Sequence, residues 1–194
     1  MTNTLIISDI QIKERTAIHD NIDPKLIYPD IKMAQDMYIA KTCGTALFEK
    51  LQSIVDNGTQ NDAENVHYKR LLDEYIPDAL MYYVLSELVI SVSYQLSNKG
   101  VMRKQSENTE IPSKSELDSL SSMYKNRAEF YDERLKLYLI EWAPTRFPEY
   151  LNPGNKADTI FPDTTSFTMP VYLGDDECNP YCNKGGFTAK PYTE

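Results

Sequence analysis

The chain is poor in the residues that most reaction centres are built from. Among its 194 residues are two histidines, His19 and His67, three cysteines, Cys43, Cys178 and Cys182, and seven glycines. Structural zinc takes four Cys or His ligands, usually in two paired clusters. Cys178 and Cys182 supply half a cluster, with a gap wider than a redox Cys-x-x-Cys, and neither histidine stands at ligand spacing from them. No metal centre is expected. Neither histidine has a nearby Ser or Cys nucleophile with a third, orienting group, so no triad can be assembled from local sequence. Gly-x-Ser-x-Gly, a phosphate-cradling glycine loop and His-Glu-x-x-His are all missing. Gly185-Gly186 reads as a turn, and Asp175-Asp176-Glu177 lacks the spacing of a calcium loop and reads as an acidic turn. The expectation is a protein with no catalytic residues, no cofactor and no metal.

Cations are also scarce. Twenty Lys and Arg face 29 Asp and Glu, for a net charge of −9 and an isoelectric point near 4.8. A general nucleic-acid binder shows a basic footprint, whereas Arg103-Lys104 is an isolated pair. Such a charge suits solubility, and it also suits a wall past which DNA slides without sticking. Three unevenly placed cysteines exclude a secreted disulfide framework and point to a reducing cytoplasm. The first residues have neither a basic region nor a long apolar run and are not expected to be a signal peptide. From Ala79 to Leu96 only Glu87 is charged, which approaches the length of a bilayer span. Glu87 near the middle, Gln95 and three serine hydroxyls make insertion costly, so a buried central helix is expected and no membrane contact.

What is present is helical periodicity, and it stops near Trp142. Asp23-Pro24 opens a helix as N-cap and first residue, and Pro29 predicts a restart. Ile31, Ala34, Met37 and Cys43 form its apolar stripe, and Gly44 is the stop. A second helix runs from about Thr45 to Asp56, closed by Asn57-Gly58. A third starts near Asn61 and meets Pro77, from which the buried helix extends to Lys99 with Gly100 as its end. Val101 to Ile111 reads as extended and polar. Ser113 and Glu116 form a capping box for the longest helix, ending near Trp142 before Pro144 and Pro148. Leu117, Leu120, Tyr124, Ala128, Tyr131, Leu135, Tyr138, Leu139 and Trp142 are its core face, and Lys125, Arg127, Glu129, Asp132, Glu133, Arg134 and Lys136 its solvated or partner-facing stripe. Glu87 is expected to find a hydrogen bond or a cation.

The fold expected is all-α: a four- to five-helix bundle over residues 23–150, a short N-terminal arm over 1–22 and a long extended C-terminal tail over 151–194. The tail intersperses prolines with Phe161, Phe167, Tyr172, Tyr181, Phe187 and Tyr192. Purely solvating tails are poor in aromatics, so these six are the candidate partner-binding residues. The tail either packs on its own body or orders on a partner.

The order of these signals resembles a known family. An Asp-Pro opening leads into IYPDIKMAQDMYIAKTCGTALFEKLQSIVDNG. RLLDEYIPDALMYYVLSELVISVSYQLSNKGV follows, and then a long helix ending RLKLYLIEW. Over roughly residues 20–143 this is similar to the head–tail connector (adaptor) proteins of tailed bacteriophages, most of all the first neck ring of crAss-like phages. The most specific stretch runs from Leu71-Leu72 through Pro77 to Asn98-Lys99-Gly100-Val101. The resemblance implies a structural virion protein repeated in a twelve-fold homo-oligomeric ring beneath the portal protein. The ring would extend the channel for genomic DNA without sequence-specific binding and offer a platform to downstream neck or tail proteins. The location implied is the neck of the virion, and the host cytoplasm during assembly. The alternative is a small terminase subunit, also helical and ring-forming but a DNA binder, for which a basic recognition helix is missing.

Overall fold

Short apolar residues and a serine cap begin the order in the chain. The computed structural model describes residues 4–97, 100–103, 112–154 and 157–162, all within one compact unit that spans Met1–Thr164. Ser8 and Gln11 form a reciprocal capping box at the start of α1 (Asp9–Arg15), whose Ile12 is fully buried. Ile7 is buried too, whereas Ile10 faces solvent. The Asp23 carboxylate then accepts the Lys25 amide at 3.0 Å, and Pro24 is the first residue of α2 (Pro24–Ala34). Pro29 does not restart the helix. It lies inside α2, beyond the first turn, so the Lys25 carbonyl goes without its i→i−4 donor and the helix continues to Ala34.

A π turn, Gln35–Ile39, joins α2 to α3 (Ala40–Cys43). A π turn adds a residue to the helical count, so the apolar phase slips by one. Spacing places Met37, with Tyr38, on the core stripe; Met37 is 55% exposed, and Tyr38 is the one that packs inward. Gly44 ends α3 at φ +75°, ψ 158° and directly precedes α4 (Thr45–Asp56). That backbone region is open essentially to glycine alone.

The 3₁₀ turn Ala63–Asn65, α5 (Val66–Arg70), a second π turn Leu71–Tyr75 and α6 (Ile76–Ser93) form one rod. Pro77 has no N–H for the Asp73 carbonyl, and the π turn before it opens the room its ring needs. The rod is long and apolar enough to cross a membrane by length and composition, but 56% of its most apolar window is buried inside the molecule. It packs as a core helix.

α6 ends at Ser93, short of the expected Lys99. Residues 94–97 and 100–103 form instead an antiparallel pair of strands, β1 (Tyr94–Ser97) and β2 (Gly100–Arg103), with Tyr94 opposite Arg103 and Ser97 opposite Gly100. The β-branched and aromatic residues there favour strands once the chain leaves the core. Next among the described elements is α7 (Lys114–Arg146), whose Ser113–Glu116 capping box is formed as expected. α7 continues past Trp142 with Pro144 inside its last turn, and α8 (Pro148–Leu151) follows after Phe147. The described residues are therefore all-α apart from one two-stranded sheet.

α6 and α7 pack antiparallel, because Tyr75 meets Tyr138, Tyr82 meets Tyr131, and the Ser121 hydroxyl donates to the Ser86 carbonyl at 2.8 Å. One apolar cluster links Ile7 and Ile12 with residues of every long helix. The N-terminal segment is gripped by two fully buried glutamines. Gln35 donates to the Thr4 carbonyl at 3.0 Å and accepts the Ile6 amide at 3.2 Å, while Gln52 donates to the same carbonyl at 3.2 Å. Two side chains thus satisfy backbone groups that an isolated extended segment would bury unpaired.

Candidate functional site

α7 carries the two surfaces on which unusual chemistry gathers, and they lie on opposite flanks. On one flank a cleft of about 370 Å³ opens between α7 and the Tyr38–Thr42 segment. At its base the Thr42 hydroxyl donates to the Asp132 carboxylate, 2.8 and 3.0 Å from its two oxygens. Burial raises the Asp132 carboxyl to about 6 and Glu133 adds to the rise, against the Thr42 bond and the nearby Lys136 and Lys41. Tyr38 and Tyr83 stack face to face with centroids 3.9 Å apart, and the Tyr38 hydroxyl donates to Glu87 at 3.0 Å. One helical turn on, the Ser91 hydroxyl donates to Asp30 at 2.5 Å; burial pushes that carboxyl up despite the bond. Glu87 therefore finds a tyrosine hydroxyl inside the body.

These groups fasten helices together. Tyr38–Glu87 and Asp30–Ser91 tie the α2 rod to α6, and Thr42–Asp132 ties α3 to α7. Cys43 lies beneath the same junction, fully buried, with burial and Asp132 both pushing its thiol pKa up. A reactive cysteine needs the opposite shift, so this thiol is a packing residue. Spacing places Asp132 on the solvated or partner-facing stripe of α7. It is half-buried because it continues the row Ala128, Leu135, Leu139 at three- and four-residue steps, a signal that was present in the sequence and masked by the residue's charge.

The other flank is apolar and basic. Met123, Phe130 and Leu137 are 38%, 69% and 53% exposed. Arg127 lies over the Tyr124 ring at 5.9 Å and Arg134 over Tyr75 at 5.0 Å. Towards the end of α7 the pattern repeats, with Arg70 over Tyr138 at 5.7 Å and Arg146 over Trp142 at 3.6 Å. Beneath these cations Tyr75 stacks on Tyr138 and Phe147 meets Tyr68 edge-on. Arg70 already donates to the Glu74 carboxylate at 2.9 Å and Arg146 to the Tyr138 hydroxyl at 3.3 Å, as a guanidinium over a ring face keeps its N–H edge for such partners. Leu120, placed in the core by spacing, is 38% exposed.

A third feature lies at the α3–α4 corner, where residues distant in sequence meet. The Thr45 amide donates to the Ile160 carbonyl at 3.0 Å, and the Ile160 amide donates to the Thr45 hydroxyl at 2.8 Å. A Cβ at Gly44 would stand 2.7 Å from Cδ of Pro162. Of the six aromatic residues singled out in the C-terminal segment, Phe161 is placed beside this corner, 67% exposed. Phe167, Tyr172, Tyr181, Phe187 and Tyr192 lie outside the described residues, as do Cys178 and Cys182. His67 is exposed on α5, and His19 accepts the Asn21 amide through Nδ1. Among the described residues no group of three or more His, Cys, Asp or Glu is gathered as a metal site.

No curated protein and no solved structure matches the chain. Residues 39–160, from the first π turn to the residue clasped by Thr45, match one family, described as a family of unknown function. The chain belongs to that family, DUF6712.

Proposed function

We propose that this protein is a structural component of a phage neck, a ring that joins the portal to the tail and extends the DNA channel. The observation that carries the reading is the antiparallel packing of α6 on α7, with the β1–β2 pair (Tyr94–Ser97 with Gly100–Arg103) following α6 in sequence. It spans the stretch with the most specific resemblance to the connector proteins. Support also comes from the use of the perturbed groups, since Asp30, Tyr38 and Asp132 bond across helix junctions. In this reading the helices form a four- to five-helix bundle and the chain repeats about a twelve-fold axis. The C-terminal segment extends to partners through Phe161, Phe167, Tyr172, Tyr181, Phe187 and Tyr192. The partners are the portal protein, downstream neck or tail proteins, and DNA that passes without sequence-specific contact.

The test is native mass of the chain alone and mixed with the portal protein of the same genome. A stoichiometric ring-on-ring complex is the expected result. The reading fails if the chain stays monomeric, ignores the portal and retards duplex DNA at low salt. That outcome favours the small terminase alternative, for which the four ring-stacked arginines are the specific observation.

A further inference from the structure

We infer that the flank of α7 bearing Met123, Phe130 and Leu137 is the seat of a second copy of this chain, which docks a carboxylate-bearing helical face against it. The inference deepens the ring reading above and rests on it.

Three large apolar side chains stand exposed at intervals of seven residues. At about 1.5 Å of rise per residue they mark a ridge about 21 Å long on one side of the helix. A seven-residue repeat is the spacing with which one helix receives the knobs of another. Flat sheet edges and extended peptides have no such period. The charges on the ridge also recur at seven residues, Arg127 and Arg134. Arg127 is the single charged residue lining the hollow around Met123 and Phe130, while the cleft on the opposite flank mixes Glu129, Asp132 and Glu133 with Lys41, Lys125 and Lys136. In a chain of net charge −9, the Met123–Phe130 part of the ridge carries its cations, and Glu141 takes the next seven-residue position after Arg134. Each guanidinium lies over a ring, which screens one face and leaves an edge for two-point contact with a carboxylate.

That combination selects among occupants. The apolar ridge has nothing to offer a phosphate backbone, so duplex DNA is a poor fit. A two-fold pairing of the ridge with itself would set Arg127 and Arg134 against their own kind, which costs affinity. The contact is therefore between two different faces. A second copy supplies the acidic one from the rest of its surface, and a contact between unlike faces repeats around a ring when the rotation closes.

The full-length chain is measured alone and with the portal protein, in three forms: parent, R127E/R134E, and with Phe130 replaced by photoreactive p-benzoylphenylalanine. The parent is expected to assemble. R127E/R134E should assemble at least tenfold more weakly with an unchanged far-ultraviolet circular dichroism spectrum. Irradiation should join position 130 to acid-bearing helical peptides of another copy. Phe130→Ser, at a 69% exposed position, repeats the test should the charge reversal disturb folding. The inference is overturned, and the ring reading kept, if the parent assembles and the variants assemble equally well. It is also overturned if position 130 joins only to the same ridge or only to the portal. A parent that stays monomeric with the portal present overturns both.

Discussion

Gly44 is the residue on which most geometry depends. Its φ of +75° and ψ of 158° fall where an L side chain costs about 1–3 kcal/mol, and a Cβ there would strike Pro162. Gly58 also has positive φ, +66°, but stands in open space. Gly44→Ala should therefore lower the urea midpoint clearly more than Gly58→Ala, which pays a backbone cost of only ~1–2 kcal/mol. Equal midpoints would show that the corner is not held as described. Asp132 sets a different dependence. Folding raises its carboxyl to about 6, while the unfolded chain titrates near 4. Between those values the folded state holds the extra proton, so stability declines as pH rises from about 4 to about 6 and stays lower above. Asp132→Asn keeps an oxygen for the Thr42 hydroxyl and removes the charge. It should flatten that decline and gain roughly 2 kcal/mol at pH 7 relative to the parent. Identical pH profiles for the two proteins would remove Asp132 as the cause.

At the level of elements, helix starts follow local chemistry closely. Ser113 accepts the Glu116 amide at 3.3 Å, and the Glu116 carboxylate accepts the Ser113 amide at 2.5 Å. Ser113→Ala should cost about 1 kcal/mol, seen as a lower melting temperature with the rest of the spectrum unchanged; no change would mean the first turn frays in solution. The Asp23-Pro24 start, the Gly44 stop and this capping box were all legible because each depends on a few adjacent atoms. The two π turns were not. Gln35–Ile39 is chosen by packing, where buried Gln35 reaches the N-terminal segment, and a fixed 3.6-residue count cannot register the extra residue. That is why, of the pair Met37 and Tyr38 on the expected stripe, only Tyr38 packs inward. Spacing also carries the buried helix to Lys99, because apolar residues recur through Leu96 with Glu87 as the one charge from Ala79 on, a pattern that does not separate helix from strand. The change to a strand at Tyr94 occurs as the rod leaves its neighbours. Of the site, the charges on α7 were visible, but their division into a cleft of mixed charge and an arginine-bearing ridge depends on which flank meets α3.

For the molecule as a whole, one cluster of buried residues joins the N-terminal segment, both π turns and α7. Unfolding should then be a single transition. Trp142, the sole tryptophan, lies near Tyr138 and under Arg146 at the far end of α7. Its emission and the helical circular dichroism should change at one urea midpoint; two midpoints would divide the body into separately stable parts. The last consequence belongs to the clasp between Thr45 and Ile160. It fixes a point of departure. Thirty-two residues follow Pro162, and a chain of that count spans at most about 110 Å when fully drawn out. Every partner met through Phe167, Tyr172, Tyr181, Phe187 or Tyr192 therefore lies within a sphere centred on the Gly44 corner, whose radius is set by contour length alone. Each inserted or deleted residue changes that reach by about 3.5 Å, which makes tail length a ruler for the distance to whatever it holds.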